Sequence, residues 1–147
     1  LLDALRQSGA VVLRLGTGSL QAVWGAPENL PDAEQRALRG AREARDAIDA
    51  EARRQQLAGQ PGLRLRAGLT AGRVALGNIG SAERLAYAAV GQPVEIARQI
   101  AREAQAGEVI VAEQLLRLLP AGSADTAPYL PLALEDGSEV ALFRVLG

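Results

Sequence analysis

Apolar residues recur along the chain with two periods, that of a helix and that of a strand. The longest helical pattern follows Asp32, the predicted N-cap, with Gln35 three residues on as its capping-box partner. Apolar residues repeat there every three or four positions, opposite a face rich in Arg, Glu and Asp. This stripe consists of Ala37, Ala41, Ala44, Ile48 and Ala52. We interpret the charges as the solvated face of one long helix.

Three shorter segments also have the helical period. The first residues form the end of a helical pattern that stops at Ser8 and Gly9. A second amphipathic helix is predicted to end at Gly107, a residue type typical of helix C-termini. Residues 114–119 predict a short helix stopped by Pro120. The apolar positions of the second amphipathic helix are Val94, Ala97, Ile100, Ala101 and Ala104.

Alternating and short apolar runs predict strands. Residues 63–69 alternate Leu or Ala with Arg or Gly, so they predict a strand with one buried face, and residues 108–112 (EVIVA) predict a short buried strand. Residues 71–81 are interrupted by glycines and predict a hairpin or arm. Asp136-Gly137 between two apolar runs is a strong hairpin signal. Helices interspersed with hairpins favour an α+β fold with a mostly antiparallel sheet.

The segment RLGTGSLQAVWG, residues 14–25, allows two interpretations. Backbone N–H groups in a glycine-rich loop can bind a phosphate, and the same glycines allow a chain to reverse between strands. Short β-prone runs at residues 10–15 and 20–24 flank the loop, and no helix follows directly. Because a phosphate-binding loop would lead from a strand into a helix N-terminus, we predict a hairpin turn at Gly16-Thr17-Gly18-Ser19.

The composition excludes several classes of function. The 147 residues suffice for a single domain, residues 1–147. Sixteen basic and 17 acidic residues give a net charge of −1, which provides no electrostatic basis for nucleic-acid binding. The absence of Cys and His excludes thiolate and imidazole catalysis and most zinc sites. No apolar run is long enough for membrane insertion, so we expect a cytoplasmic domain. The chain has no Met and opens within a helical pattern, so we expect it to be part of a longer protein.

Four segments, in their order and spacing, resemble the class III nucleotidyl cyclase catalytic domain, and together they cover nearly the whole chain. The most specific part runs from Leu65 to Glu113, where the glycines and the GNIGSAERLAY arm match the family pattern. The segments are RLGTGSLQAVWGAP, AEQRALRGAREA, LRLRAGLTAGRVALGNIGSAERLAYAAVGQPVEIARQIAREAQAGEVIVAE and VALFRVLG. The resemblance implies a ferredoxin-like fold with helices packed on the sheet. It also implies a central N-terminal strand with a metal-binding aspartate, which this chain does not contain.

The resemblance further implies a reaction and its site. Family members join the 3′ hydroxyl of a nucleoside triphosphate to its α-phosphate, with two divalent ions held by carboxylates at the interface of a head-to-tail dimer. The family places the second metal-binding aspartate in the hairpin turn, where this chain has Gly18. Thr17 and Ser19 beside it are neutral and are poor ligands for Mg²⁺.

The other family positions also carry different residues in this chain. Arg14 stands where adenylate cyclases of the family have the lysine that recognises adenine, and Ala88 stands where its aspartate or threonine partner would be. On the second amphipathic helix, Glu95 replaces the asparagine that orients the ribose. Gln99 replaces the arginine that contacts the phosphates. A carboxylate facing a triphosphate adds repulsion, and Gln99 brings no charge.

Two further interpretations of these positions stay open. Arg98 and Arg102 are candidate replacement cations, although residue 98 lies about 100° around the helix from residue 99. The simpler alternative assigns ordinary structural roles to these side chains. Glu95 and Gln99 would form a solvated pair, and Arg14 and Arg64 would be exposed strand residues. Tyr87 and Trp24 would be packed aromatic residues with a polar tip at the surface.

The sequence therefore predicts a cyclase fold without cyclase chemistry. Our hypothesis is a degenerate nucleotidyl cyclase homology domain that serves as a regulatory or dimerisation module in a larger signalling protein. It would form a homodimer or a heterodimer through the cyclase-type interface, and no cofactor is expected. One alternative is an active adenylate or guanylate cyclase that uses Mg²⁺ or Mn²⁺, with Arg14, Glu95 or Arg98 in unfamiliar roles. The other is a domain that senses a nucleotide without cleaving it.

Overall fold

The computed structural model describes residues 1–81 and 84–147, apart from five side chains inside strands, those of Arg14, Leu15, Arg84, Leu85 and Ala86. Within this part of the chain there are four helices and eight strands. The helices are α1 (Leu2–Gln7), α2 (Ala33–Leu57), α3 (Gln92–Glu103) and α4 (Glu113–Leu116). The strands are β1 (Val11–Gly16), β2 (Ser19–Val23), β3 (Ala67–Leu69), β4 (Ala75–Ser81), β5 (Arg84–Val90), β6 (Val109–Ala112), β7 (Thr126–Ala133) and β8 (Glu139–Val145).

The described strands form one four-stranded sheet and two hairpins. The sheet has the order β3-β6-β8-β7. Strands β3 and β6 are parallel, with Ala67 opposite Val109, whereas β6 with β8 and β8 with β7 are antiparallel. The two hairpins, β1 with β2 and β4 with β5, are antiparallel as well. The predicted α+β fold with mostly antiparallel strands is confirmed.

Strand β6 is the centre of the core, because its side chains point alternately to two covered faces of the sheet. Val109 and Val111 join an apolar cluster with residues of α2, and Ile110 and Ala112 join a second cluster with residues of α3. All four side chains are fully buried. In α2, the predicted stripe is buried at its four alanines and half-buried at Ile48. Helices therefore pack on both faces of the sheet.

Helix α3 lies with its backbone directly against β3. A Cβ atom added to Gly68 would lie 2.5 Å from the carbonyl oxygen of Ala97 and 2.6 Å from the backbone nitrogen of Ala101. Only a glycine permits such a close approach of helix and strand. This contact determines where the start of α3 lies relative to the end of β3.

The buried side chain of Ser8, directly after α1, bonds to Trp24 at the end of β2 and lies against Gly40 of α2. The Ser8 hydroxyl donates to the carbonyl of Leu5 at 2.6 Å and accepts the Nε1 hydrogen of Trp24 at 2.9 Å. Trp24 packs against the apolar cluster on the α2 face, as predicted for an aromatic residue with a polar tip.

Two predicted elements are shorter in the structure. The strand predicted over residues 63–69 comprises only residues 67–69, and Leu63 is 76% exposed. In this preceding segment Arg64 is not a strand residue, and its Nε donates to Asp49 of α2 at 3.0 Å. The short helix predicted over residues 114–119 comprises residues 113–116. The chain before Ala67 thus contacts α2 through the side chain of Arg64.

The second amphipathic helix ends at Glu103 and not at Gly107. Ala104 has an extended backbone, and Gly107 belongs to the following turn, with a φ of +86°. The Gly107 N–H donates to the carbonyl of Leu65 at 2.7 Å, so the turn is bonded to the chain entering β3. The sequence pattern correctly indicates a glycine-dependent turn but misplaces the end of the helix.

The predicted capping box at the start of α2 is wrong. Asp32 is the N-cap by position, but its side chain makes no capping hydrogen bond. Its carboxylate instead accepts the Nε hydrogen of Arg36 at 2.7 Å, and this contact holds the pKa of Asp32 below its usual range. None of the helices in the described residues is long and apolar enough to cross a bilayer.

Candidate functional site

The glycine-rich segment after β1 is a hairpin turn, as predicted. Strand β1 ends at Gly16 and β2 begins at Ser19, which is its register partner, so Thr17 and Gly18 form the turn. Gly18 has a φ of +81°, and no atom lies within 4 Å of a Cβ placed there. The turn is thus open to solvent. At the position where the resemblance implies a metal-binding aspartate, it has no side-chain oxygen.

The two base-recognition positions lie on different hairpins. The backbone of Arg14 pairs with Leu20 across the first hairpin, and the side chain of Arg14 lies outside the described residues. Ala88 of β5 lies opposite Gly77 of β4 and is half-buried. Its methyl group cannot form a hydrogen bond with a base edge.

On α3, an ion pair joins Glu95 to Arg98. Nη1 of Arg98 donates to Oε1 of Glu95 at 2.7 Å and to Oε2 at 3.0 Å. Both side chains are about half exposed. Gln99, which is half-buried, is not the partner of Glu95, so the proposed solvated Glu95 and Gln99 pair is replaced by an ionic one. The guanidinium that we considered as a replacement cation is therefore bound to the carboxylate on its own helix.

An open cavity of about 330 Å³ lies at the start of α3. It is formed where the parallel strands β3 and β6 end, because Thr70 and Gln114 follow these strands and the carboxyl ends of parallel strands meet at one edge. The lining residues are Thr70, Ala71, Gly72, Arg73, Gln92, Pro93, Ile96 and Gln114. Polar groups from three segments of the chain thus meet in one place.

Arg73 is the charged residue of this cavity, and sequence reasoning missed it. Among the described residues, no carboxylate forms an ion pair with Arg73. A Cβ added to the neighbouring Gly72 would lie 2.6 Å from Cγ of Pro93. The sequence feature that could have indicated Arg73 is its position directly after Gly72, a glycine that close packing requires. In isolation the sequence does not distinguish that glycine from the others nearby.

The lowered carboxyl pKa values arise from local contacts in turns and caps. The backbone N–H of Gln105 lowers the pKa of Glu108, with further contributions from Tyr129 and Arg144. The hydroxyl and the backbone N–H of Ser138 lower the pKa of Asp136 in the hairpin between β7 and β8. Among the described residues, no three acidic side chains are grouped so that they could hold a metal ion.

Comparison of the sequence with protein families gives a match over most of the chain. The family model for the adenylate and guanylate cyclase catalytic domain matches residues 20–140. The chain therefore belongs to this family, and the resemblance inferred from its motifs is confirmed. An uncharacterized protein of Mycobacterium tuberculosis is 32% identical over 111 residues, which are 74% of this chain and 19% of the relative. The chain thus spans about a fifth of the length of the curated relatives it matches.

Solved cyclase domains have the same fold. The adenylyl cyclase CyaB from P. aeruginosa superimposes with a TM-score of 0.90 at 16% identity, covering 99% of this chain and 76% of that one. The non-canonical dimeric guanylyl cyclase domain of the RhoGC fusion protein from Blastocladiella emersonii has a TM-score of 0.81 at 21% identity, with coverages of 99% and 76%. The class III cyclase fold predicted from the sequence is confirmed.

Proposed function

We propose that this chain is a catalytically degenerate nucleotidyl cyclase domain that serves as a regulatory or dimerisation module in a larger signalling protein. The observation that carries the proposal is the ion pair between Glu95 and Arg98 on α3. A cyclising site must attract a triphosphate and steady its transition state with cationic groups. In this chain α3 instead carries the carboxylate of Glu95, and the nearby guanidinium of Arg98 donates its hydrogen bonds to that carboxylate.

The hairpin turn supports the same proposal. Divalent ions that activate a hydroxyl and neutralise phosphate charge are held by carboxylates. Thr17 and Gly18 supply none, so the residues of this turn do not fit such an ion. No cofactor enters the proposed function.

A dimerisation role is supported by the arm formed by β4 and β5. Ile79 and Val90 are each about half exposed, and both lie on the same face as Ala75, the register partner of Val90. Tyr87 is on the opposite face and is 44% exposed. A two-stranded hairpin with exposed apolar residues on both faces is marginally stable by itself and gains stability against a partner.

The partner in this proposal is a second copy of the chain or another cyclase chain. A guanylyl cyclase domain with this fold, solved both as a non-canonical dimer and as a monomer, supports the capacity of such domains to pair. Because the relatives that match are about five times longer than the matching segment, the regulated activity would belong to other parts of such a protein.

The proposal is tested by incubating the full-length protein with ATP or GTP in the presence of Mg²⁺ or Mn²⁺ and measuring cyclic nucleotide. We expect no product above the level without protein, while an active cyclase assayed in parallel yields product. Cyclic nucleotide produced by the wild-type protein above the level without protein would overturn the proposal, and loss of that production in the Arg98→Gln variant would assign the activity to this domain.

A further inference from the structure

The ion pair and the cavity lie at the same end of the same helix. Gln92 and Ile96 line the cavity, and Glu95 lies between them in the first turns of α3. Residues 92 and 95 are neighbours across one helical turn. The carboxylate of Glu95 therefore contributes to the electrostatic potential at the cavity that contains Arg73.

We infer that Glu95 is a specificity-determining residue that makes this end of α3 reject polyphosphates. The inference rests on the proposed function, since it explains how a cyclase fold is kept free of its triphosphate. Three charged groups contribute here: Arg73 in the cavity, Glu95 and Arg98. With Glu95 ionised they sum to one positive charge, and Arg98 donates its hydrogen bonds to Glu95 instead of to an anion.

Removal of one negative charge would change this balance in two ways. The local charge would rise to two positive charges, and the guanidinium of Arg98 would be released to bind an anion. Since the side chains are only half exposed, the repulsion from Glu95 is screened by salt but not abolished. The gain in anion binding is therefore largest at low ionic strength.

The experiment compares wild-type protein with Glu95→Gln, which keeps the size of the side chain and removes its charge. Calorimetric titrations use inorganic triphosphate and, separately, ATP, at low salt and without metal ions. We expect Glu95→Gln to bind each ligand at least tenfold more tightly than wild type, and the gain to shrink as salt is added. Adding Arg98→Gln or Arg73→Gln to Glu95→Gln should reduce the gain.

A matched control is available on α2. Glu51 and Arg54 form an exposed ion pair with the same spacing of three residues and the same order along the helix. Glu51→Gln makes the same change in net charge but releases an arginine away from the cavity. We expect its affinity for triphosphate to equal that of the wild type.

Two outcomes overturn the inference. One is that Glu95→Gln binds triphosphate no more tightly than wild type, and the other is that Glu51→Gln shows the same gain. Neither outcome bears on the proposed function, which depends on whether the wild-type protein produces cyclic nucleotide. Conversely, cyclic nucleotide production by the wild type would overturn the proposed function whatever the variants bind.

Discussion

At the scale of single residues, Gly40 shows how one missing side chain permits the contact between α1 and α2. A Cβ at this position would lie 2.5 Å from Oγ of Ser8 and 3.1 Å from the indole ring of Trp24. Those two side chains share a partly buried hydrogen bond of 2.9 Å, which a displacement of either side chain would lengthen. The glycine lies inside α2, where glycine by itself weakens a helix. Gly40 therefore provides the space that the side chains of Ser8 and Trp24 occupy.

We expect Gly40→Ala to destabilise the protein by about 2 kcal/mol, because overpacking outweighs the improved helix propensity. Urea unfolding measures the change, and the fluorescence of Trp24, the single tryptophan of the chain, reports on the environment of the hydrogen bond. Gly18→Ala serves as a comparison, since nothing lies near its Cβ and its cost arises from backbone conformation alone. An increase in stability of Gly40→Ala would contradict this account.

At the scale of elements, Glu108 connects the turn after α3 to the two strands at the far side of the sheet. Its Oε2 accepts the backbone N–H of Gln105 at 2.9 Å and the hydroxyl of Tyr129 at 2.9 Å. Its Oε1 accepts a longer hydrogen bond, 3.4 Å, from Nη1 of Arg144. The Glu108 side chain is 14% exposed, so these donors stabilise a carboxylate that is largely removed from water.

These contacts predict a dependence of stability on pH. The pKa of Glu108 is lowered in the folded protein, mainly by the Gln105 N–H. The stabilisation by the Glu108 carboxylate is therefore complete above the pKa of a glutamate in the unfolded chain, about 4.3. It is lost as the pH falls through the lower pKa that Glu108 has in the folded protein. We expect Glu108→Gln to cost about 1 kcal/mol at pH 7, and this difference to shrink as the pH falls below 4.

Urea unfolding of wild type and Glu108→Gln between pH 3 and pH 7 tests this expectation. Glu139→Gln is the control, because Glu139 begins the neighbouring strand β8 and is exposed. A cost of Glu108→Gln that is the same at every pH would show that the carboxylate charge is not responsible.

At the scale of the whole molecule, the arm formed by β4 and β5 differs from the rest of the fold. The four-stranded sheet is covered by α2 on one face and by α3 on the other, and its central strand is fully buried. The arm forms a separate two-stranded sheet, with Ile79 and Val90 exposed on one face. These side chains are already about half buried in the chain, so burying the remainder against a partner would contribute about 1 kcal/mol each.

From the proposed dimerisation we expect Ile79→Asp to weaken self-association at least tenfold, as measured by analytical ultracentrifugation, without lowering the thermal stability of the monomer. A charge at Leu130 provides the control. Leu130 is 82% exposed but lies on β7, at the far edge of the sheet from β3. If Leu130→Asp disrupts the dimer and Ile79→Asp does not, the arm is not the interface.

Much of the fold could be predicted from local pattern. The alanine stripe of α2, the buried run of β6 and the turns at Gly18 and Asp136-Gly137 depend on side chains close in sequence, and each lies where the pattern predicts it. The motifs also sufficed to identify the family. The candidate site was predicted only as a set of positions. The residue types at Gly18, Ala88, Glu95 and Gln99 indicate which groups of the family site would be replaced, but not which contacts the replacements make.

Tertiary contacts decided the rest, since they join residues that no local pattern relates. Strand β3 begins only at Ala67, and in the segment before it Arg64 binds Asp49 of α2. Helix α3 ends at Glu103, and the turn that follows is bonded to Leu65 through the N–H of Gly107. The cavity with Arg73 exists because two parallel strands end at one edge beside the start of α3. The sequence by itself determined most of the elements and the family, and it predicted which functional groups of the family site are replaced. Only the three-dimensional arrangement decided their limits and their partners, because hydrogen bonds and close packing between distant segments outweigh the modest local preference of each residue.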